Sequence, residues 1–149
     1  MATSDGIDTY DWGRVKELAI ALFHACETED EQSCRQRLLE YLDELEVKYG
    51  LLPSIVATRA DFIRDDPKRE ALLLQAYSLA LAINDKKNGL HVAHSLAEFY
   101  TEDRRNCPEA KQWLQRLKEH MIDLRDTGDY SRMFRQLKTS GSPDTTDDT

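Results

Sequence analysis

The sequence predicts an all-α protein built from stacked antiparallel helical hairpins, about three hairpins and a C-terminal capping helix. Only six Gly and four Pro residues interrupt the 149-residue chain, and so few helix breakers favour long helices over a many-turned β fold. Apolar residues recur at spacings of three and four, which places them on single helical faces. A two-helix pattern also repeats after 37 to 39 residues, a period typical of helical solenoids.

Four amphipathic segments are predicted in the first half of the chain. The first ends at the polar turn 27–31, and the second ends at Gly50, a residue that favours helix termination. The third begins at Pro53, because proline suits a first helical turn. The fourth begins with Asp66 as N-cap and Pro67 just inside. It is apolar on most sides, which predicts a helix sandwiched between neighbours.

Three further helices are predicted in the second half. Asn88-Gly89 is expected to end the fourth helix, and the fifth then runs over about 90–100. Asn106 provides a cap-like start to the sixth helix. A short seventh helix, 129–137, is expected to cap the array, because a terminal repeat otherwise leaves an apolar face uncovered.

These elements define three regions of the chain. Residues 1–9 are predicted to be a flexible N-terminus, and residues 10–137 the helical domain. Residues 138–149 are predicted to be a disordered acidic tail, because Ser, Thr, Gly, Pro and Asp cannot bury enough apolar surface to order it.

The charge balance restricts the class of partner. The chain carries 28 acidic and 20 basic residues, a net charge of −8, and no basic stripe overrides that average. Such a chain repels phosphate backbones and anionic membranes, so neither nucleic acid nor a membrane is predicted as a partner. A basic protein or peptide is the natural complement.

The sequence also predicts a cytoplasmic protein. No segment approaches the roughly 20 apolar residues that span a bilayer, and the first eleven residues lack the basic-then-apolar pattern of a signal peptide. The three cysteines are odd in number and lack the spacing of a disulfide framework or metal site.

An internal repeat supports the helical-hairpin interpretation. The segments Ala60-Asp-Phe-Ile63 and Ala97-Glu-Phe-Tyr100 lie 37 residues apart, and the Glu-Ala pairs at 70–71 and 109–110 lie 39 apart. Each copy has a small residue late in one helix, a charged turn, and a second helix that begins at Glu-Ala. Small residues let paired helices approach closely, and each hairpin leaves an apolar face for the next to cover.

This repeat resembles the tetratricopeptide repeat, most clearly over residues 50–125. The family places a Leu-small pair and a following Tyr in the first helix, here Leu96-Ala97 and Tyr100. It places an Ala and a large aromatic in the second helix, here Ala110 and Trp113. The interval from Ala97 to Ala110 is one residue longer than in the family, and the proline that usually closes a repeat is missing.

The resemblance implies a partner-binding groove lined by the first helix of each repeat. Its polar face in the stronger repeat consists of His91, His94, Glu98 and Thr101, and in the weaker repeat of Ser54, Asp61 and Arg64. The apolar face of the fifth helix, with Val92, Leu96, Phe99 and Tyr100, is expected to point into the hairpins. A solvated helix face without a partner remains the alternative interpretation of the polar residues.

The leading functional hypothesis is therefore a protein–protein interaction module, an adaptor, regulator or small chaperone that holds a peptide or helix in this groove. The first alternative is a regulator or toxin-neutralising protein that docks a basic target through its acidic outer surface. The second is a small metal-dependent or hydrolytic enzyme.

Enzymatic activity and a bound cofactor are not predicted. His91, His94 and Glu98 share a helical face and are metal-ligand types, but no second helix offers a matching pair. The sequence contains no Gly-flanked serine elbow and no phosphate-cradling glycine loop.

Overall fold

The computed structural model describes residues 2–123, and this part of the chain is helical and contains no strand. The α-helices are α1 (Thr9–His24), α2 (Glu31–Tyr49), α3 (Pro53–Asp61), α4 (Asp66–Ala82), α5 (Lys86–Glu98) and α6 (Cys107–Asp123), with a π-helical turn at Phe99–Asp103. The all-α prediction is confirmed for these residues. The predicted seventh helix and the acidic tail lie outside the described residues.

The chain divides into two compact units between Asn88 and Gly89, so that α5 begins in the first unit and continues into the second. In the first unit, α1 packs against α2 and α3 packs against α4. One hydrophobic core cluster of this unit consists of Ile7, Val15, Leu18, Leu22, Leu38, Leu42, Leu45 and Ile55.

Helices α1 and α2 form an antiparallel pair, called here the first hairpin (residues 9–49). Asp11, near the start of α1, accepts hydrogen bonds from Lys48 and Tyr49 at the end of α2. Helices α2 and α3 also run antiparallel, because Arg35 near the start of α2 donates to the carbonyl of Phe62 at the end of α3.

Residues 2–8 pack against helices of the first unit, in contrast to the flexible N-terminus expected over residues 1–9. Ile7 is fully buried in the core, and its backbone N–H donates to the hydroxyl of Thr3 (2.9 Å). Asp8 is the N-cap of α1, with its side chain accepting from the backbone of Asp11. Ile7 therefore occupies the position just before the N-cap, where an apolar residue fixes how the chain enters a helix.

The boundary between α4 and α5 differs from the sequence prediction. Asn84 adopts φ +56° directly after α4, and Asp85 then accepts a hydrogen bond from the backbone N–H of Asn88. This Asp85 cap begins α5 earlier than expected and places Gly89 inside the helix. A Cβ at Gly89 would lie 3.1 Å from Cε1 of His120. The glycine provides space for a neighbouring side chain rather than a helix stop.

Helix α4 is not covered on all sides, in contrast to the prediction of a sandwiched helix. Leu81 is 55% exposed, and Leu74 and Ile83 are also exposed. Its N-cap is Asp65 rather than Asp66, since the Asp65 side chain accepts from the backbone of Lys68.

The two sequence repeats agree in their first helices and differ in their second. Ala60 and Ala97 are both buried, as expected for small residues at close helix contacts. Ala110 is also buried at the start of α6, whereas the corresponding Ala71 in α4 is exposed. The two copies therefore bury the same position in the first helix of the repeat but not in the second.

The predicted inward face of α5 is confirmed, because Val92, Leu96, Phe99 and Tyr100 are all buried. After Glu98 the chain forms the π-helical turn, in which the backbone N–H of Arg104 donates to the carbonyl of Phe99 (3.0 Å). No helix among the described residues is both long and apolar enough to cross a membrane.

Candidate binding surfaces

The groove residues predicted on α5 are accessible. His91 and Glu98 are exposed and His94 is half-buried. Nε2 of His94 lies 3.8 Å from Oε2 of Glu98, an ion pair only when the imidazole is protonated. Thr101 lies in the π-helical turn, and its hydroxyl donates to the carbonyl of Ala97 (2.7 Å). These side chains therefore present polar groups that a partner can contact.

The groove residues predicted on α3 do not form an equivalent set. Ser54 is buried, and its hydroxyl and backbone N–H both donate to Asp5 (2.9 and 2.7 Å). Ser54 thus differs from the accessible polar residue expected there, because Asp5 satisfies the first turn of α3. Arg64 pairs with Glu31 at 2.5 Å, and Asp61 is exposed.

Ser54 belongs to a polar cluster that anchors the N-terminal segment. The hydroxyl of Ser4 donates to the carboxylate of Asp85 (2.8 Å), and the side-chain amide of Asn88 donates to the same carboxylate (2.7 Å). The amide nitrogen of Asn88 also lies 3.3 Å from Oδ2 of Asp5. The cluster joins residues 4 and 5 to the start of α3 and to the cap of α5, and its polar atoms stabilise the fold.

A second polar cluster is centred on the buried carboxylate of Asp11. Lys48 donates to it at 2.7 Å and Tyr49 at 2.6 Å, with the phenol of Tyr41 at 3.4 Å. Hydrogen bonds from Lys48 and then Tyr49 lower the pKa of Asp11 below its ordinary value. Both oxygens of this carboxylate accept hydrogen bonds from α2, so we interpret Asp11 as a residue that stabilises the packing of α1 against α2.

The net negative charge is concentrated at the N-terminal end of the sequence. Residues 1–50 contain 12 acidic and five basic residues, whereas residues 51–149 contain 16 acidic and 15 basic residues. Five of the 12 form ion pairs with basic residues: Asp11, Glu17, Glu31, Asp43 and Glu46. The exposed acids Glu27, Glu29, Asp30, Glu40 and Glu44 form no ion pair with any other described residue. The first hairpin is therefore the acidic part of the protein.

The first hairpin also exposes large apolar side chains. Phe23 is 76% exposed and Ile20 is 57% exposed on α1, three residues apart. On α2, Val47 is 88% exposed. The core-facing residues of α1, Leu18 and Leu22, are buried, so the exposed pair lies on a different side of the helix.

A cleft of about 580 Å³ opens where α1 ends and α2 begins. Its lining residues are Ala21, His24, Ala25, Thr28, Asp30, Ser33, Cys34 and Arg37. Asp30 is the N-cap residue of α2, yet its side chain makes no capping hydrogen bond. Its carboxylate is consequently available to a group that enters the cleft.

The second unit contains a cleft of about 390 Å³ beside the π-helical turn. It is lined by Tyr100, Thr101, Glu102, Arg105, Cys107 and Ala110. Arg105 adopts φ +50°, and Asn106 caps α6 by accepting from the backbone of Glu109 (3.3 Å). The cap predicted at Asn106 is confirmed.

No group of three or more His, Cys, Asp or Glu side chains among residues 2–123 is arranged to hold a metal ion. Comparisons with protein-family models, with curated proteins and with solved structures found no match to this chain. Functional inference for this protein therefore depends on its own residues.

Sequence reasoning located the exposed α5 face but missed the acidic hairpin. The signal was available in the sequence as a charge difference between residues 1–50 and the rest of the chain. Exposure of Phe23 and Ile20 was not evident from sequence, because helical periodicity places them near the apolar face formed by Leu18, Ala19 and Leu22.

Proposed function

We propose that this chain is a protein-interaction module that binds a basic partner protein through its first hairpin. The observation that carries the proposal is the segregation of charge: residues 1–50 have a surplus of seven acids, and the remaining 99 residues have a surplus of one. Exposed carboxylates without ion-pair partners create a negative field that steers a basic surface toward the hairpin.

Apolar side chains on the same hairpin support this choice. Charged groups at the edge of an interface mainly affect association rate and partner choice, whereas buried apolar anchors supply most of the affinity. Phe23 and Ile20 on α1 offer such anchors beside the acidic turn. The first hairpin thus combines the two features that a protein interface requires.

The α5 face is a second candidate surface for the same role. His91, His94 and Glu98 lie on one side of α5, where His91 and Glu98 are exposed and His94 is half-buried, and this accessibility favours a contact with a partner. In this version of the proposal, the hairpins stack in the manner of a tetratricopeptide array, and α5 lines its groove. The chain then acts as an adaptor, regulator or small chaperone.

The experiment compares affinity capture by the parent chain and two triple variants at physiological salt. The hairpin variant carries Glu27→Gln, Glu29→Gln and Glu44→Gln. The control variant carries Glu102→Gln, Glu109→Gln and Glu119→Gln, which removes the same charge from the second unit. Quantitative mass spectrometry should show basic proteins that are lost from the hairpin variant and retained by the control. Equal retention by both variants would remove the acidic hairpin from the binding mechanism.

A further inference from the structure

We infer that the corner where α1 meets α2, formed by residues 20–30, docks a basic amphipathic helix of the partner. This inference rests on the proposed function and specifies the chemistry of the partner. The α1–α2 corner combines an exposed apolar pair, Ile20 and Phe23, with an acidic turn and the adjoining cleft.

The apolar half of the corner fits a helix. Ile20 and Phe23 are three residues apart on α1, so their side chains form a short ridge along the helix. A partner helix packs against such a ridge with apolar residues of its own at spacings of three and four. The rings of Phe23 and His24 lie 5.9 Å apart at 50°, which extends the contact surface toward the cleft.

The charged half of the corner selects a basic helix. The C-terminal end of α1 carries the negative end of the helix dipole, and Glu27, Glu29 and Asp30 follow in the turn. The backbone N–H of Glu27 donates to Glu31, and Glu31 is neutralised by Arg35 and Arg64. The first three carboxylates lack ion-pair partners among the described residues, so their charge faces the solvent at this corner.

The cleft offers a place for a lysine or arginine side chain of the partner. Asp30 lines it without a helix-capping bond, and Thr28 and Ser33 add hydroxyl groups to its wall. Arg37 also lines the cleft and repels a second cation. The incoming side chain is therefore expected to lie near Asp30, on the side of the turn. A basic residue adjacent to the apolar face of the partner helix reaches this carboxylate when the apolar residues cover Phe23.

A second copy of this chain is a poor occupant of the corner. It would bring a second set of residues 1–50, with the same surplus of seven acids, against the first, and like charges across an interface are unfavourable. Charge complementarity therefore favours a basic segment from a different protein.

The test uses the full chain and three synthetic peptides. One is an amphipathic Leu/Lys helix of 18 residues, one is a permuted peptide of the same composition without a helical apolar face, and one is a Leu/Glu helix. Fluorescence anisotropy should show that the amphipathic basic peptide binds at least tenfold more tightly than the other two. Binding should weaken as salt is raised, since salt screens exposed charges.

Matched variants locate the site. Phe23→Ser should weaken binding of the amphipathic basic peptide at least tenfold, whereas Val47→Ser, at a more exposed apolar residue of α2, should change it less than twofold. Glu29→Gln with Asp30→Asn should weaken binding more than Glu40→Gln with Glu44→Gln does. Thermal unfolding should confirm that all four variants are folded.

Several outcomes would overturn the inference. If the permuted peptide binds as tightly as the amphipathic Leu/Lys peptide, charge alone attracts the peptides. That result supports binding by the acidic hairpin but excludes a contribution from Ile20 and Phe23. If the Leu/Glu peptide binds as well as the Leu/Lys peptide, the proposed function itself loses its support. Arg132 and Arg135 are basic residues of the segment 129–137, predicted from sequence as the seventh helix. If Arg132→Ser with Arg135→Ser raises the peptide affinity, the corner is occupied by this C-terminal segment of the same chain. If Phe23→Ser converts a dimer to a monomer, the occupant is a second copy.

Discussion

The phenol of Tyr49 donates a hydrogen bond of 2.6 Å to the carboxylate of Asp11, which lies 38 positions earlier in the chain. Lys48 donates to the same carboxylate oxygen at 2.7 Å. The contact joins the end of α2 to the start of α1 and so fixes the antiparallel register of the first hairpin. Because Asp11 is buried, loss of its partners leaves a carboxylate with unsatisfied hydrogen-bonding capacity.

The first prediction concerns the pH dependence of this contact. Hydrogen bonds from Lys48 and Tyr49 lower the pKa of Asp11 in the folded protein. The ionised carboxylate therefore contributes stability above its unfolded pKa, about 4, and this contribution is lost as the pH falls toward the lower folded value. Chemical unfolding should show Asp11→Asn to be less stable than the parent at pH 7, with the difference decreasing below about pH 4.

Tyr49→Phe provides a second variant of the same contact, and Tyr10→Phe is its control because the Tyr10 ring is exposed. We expect Tyr49→Phe to lower the melting temperature and Tyr10→Phe to leave it unchanged. Equal melting temperatures for Tyr49→Phe and the parent would mean that Lys48 alone satisfies Asp11.

The second prediction concerns the N-terminal segment. Ile7 is fully buried in the core of the first unit, so Ile7→Ala removes apolar contacts and leaves a cavity. We expect the free energy of unfolding to fall by about 2–4 kcal/mol. Val47→Ala is the control, since Val47 is exposed and its truncation should cost less than about 0.5 kcal/mol. If both variants are as stable as the parent, the segment is not part of the cooperative fold.

The positions of the helices could be predicted from sequence because their apolar residues recur at regular spacing. The predicted helices match α1 to α6 in order and approximate extent. The fold of residues 2–8 could not be predicted in this way, since a single apolar residue, Ile7, has no period. Its role depends on the Asp8 cap and on the cluster around Asp5, which join parts of the chain that are distant in sequence.

Gly89 and Ser54 show why local patterns did not determine the site. A glycine has the same local signature whether it ends a helix or makes room for a neighbour, and only the position of His120 distinguishes the two at Gly89. A serine in the first turn of a helix is equally ambiguous: Ser54 is buried because Asp5 binds it. The inward apolar face of α5 was predicted correctly because its apolar residues recur with a clear helical period.

The third prediction concerns His120, which packs against Gly89. Burial lowers the pKa of His120, and the nearby Asp123 and Glu119 partly oppose this. The unfolded chain therefore binds a proton at a higher pH than the folded chain, and stability is lost as the pH falls below the ordinary value of about 6.5.

Unfolding measurements at pH 7.5 and 5.5 should show this loss in the parent. His120→Gln should reduce the difference between the two pH values, whereas His91→Gln, at an exposed position, should leave it as in the parent. A parent difference that persists in His120→Gln would assign the pH dependence to other groups.

The fourth prediction separates the two candidate surfaces. His94 and Glu98 lie on the exposed side of α5, and the groove hypothesis requires them to contact the partner. Under that hypothesis, His94→Ala with Glu98→Ala weakens binding of the captured partner at least tenfold, about 1.4 kcal/mol. Under the hairpin proposal, the same double variant changes the affinity less than twofold. The variant with Glu27→Gln, Glu29→Gln and Glu44→Gln instead binds the partner more weakly than the parent.

Stability must be measured beside affinity for this comparison to be decisive. Substitutions at exposed positions usually change stability by less than about 0.5 kcal/mol, so the α5 double variant should melt near the parent temperature. Isothermal titration of the purified partner against both variants then distinguishes the surfaces. The partner would be placed in the groove if the α5 double variant binds it tenfold more weakly and the Glu27, Glu29 and Glu44 variant binds it as tightly as the parent. The exposed carboxylates of the first hairpin would then have no measurable role in binding.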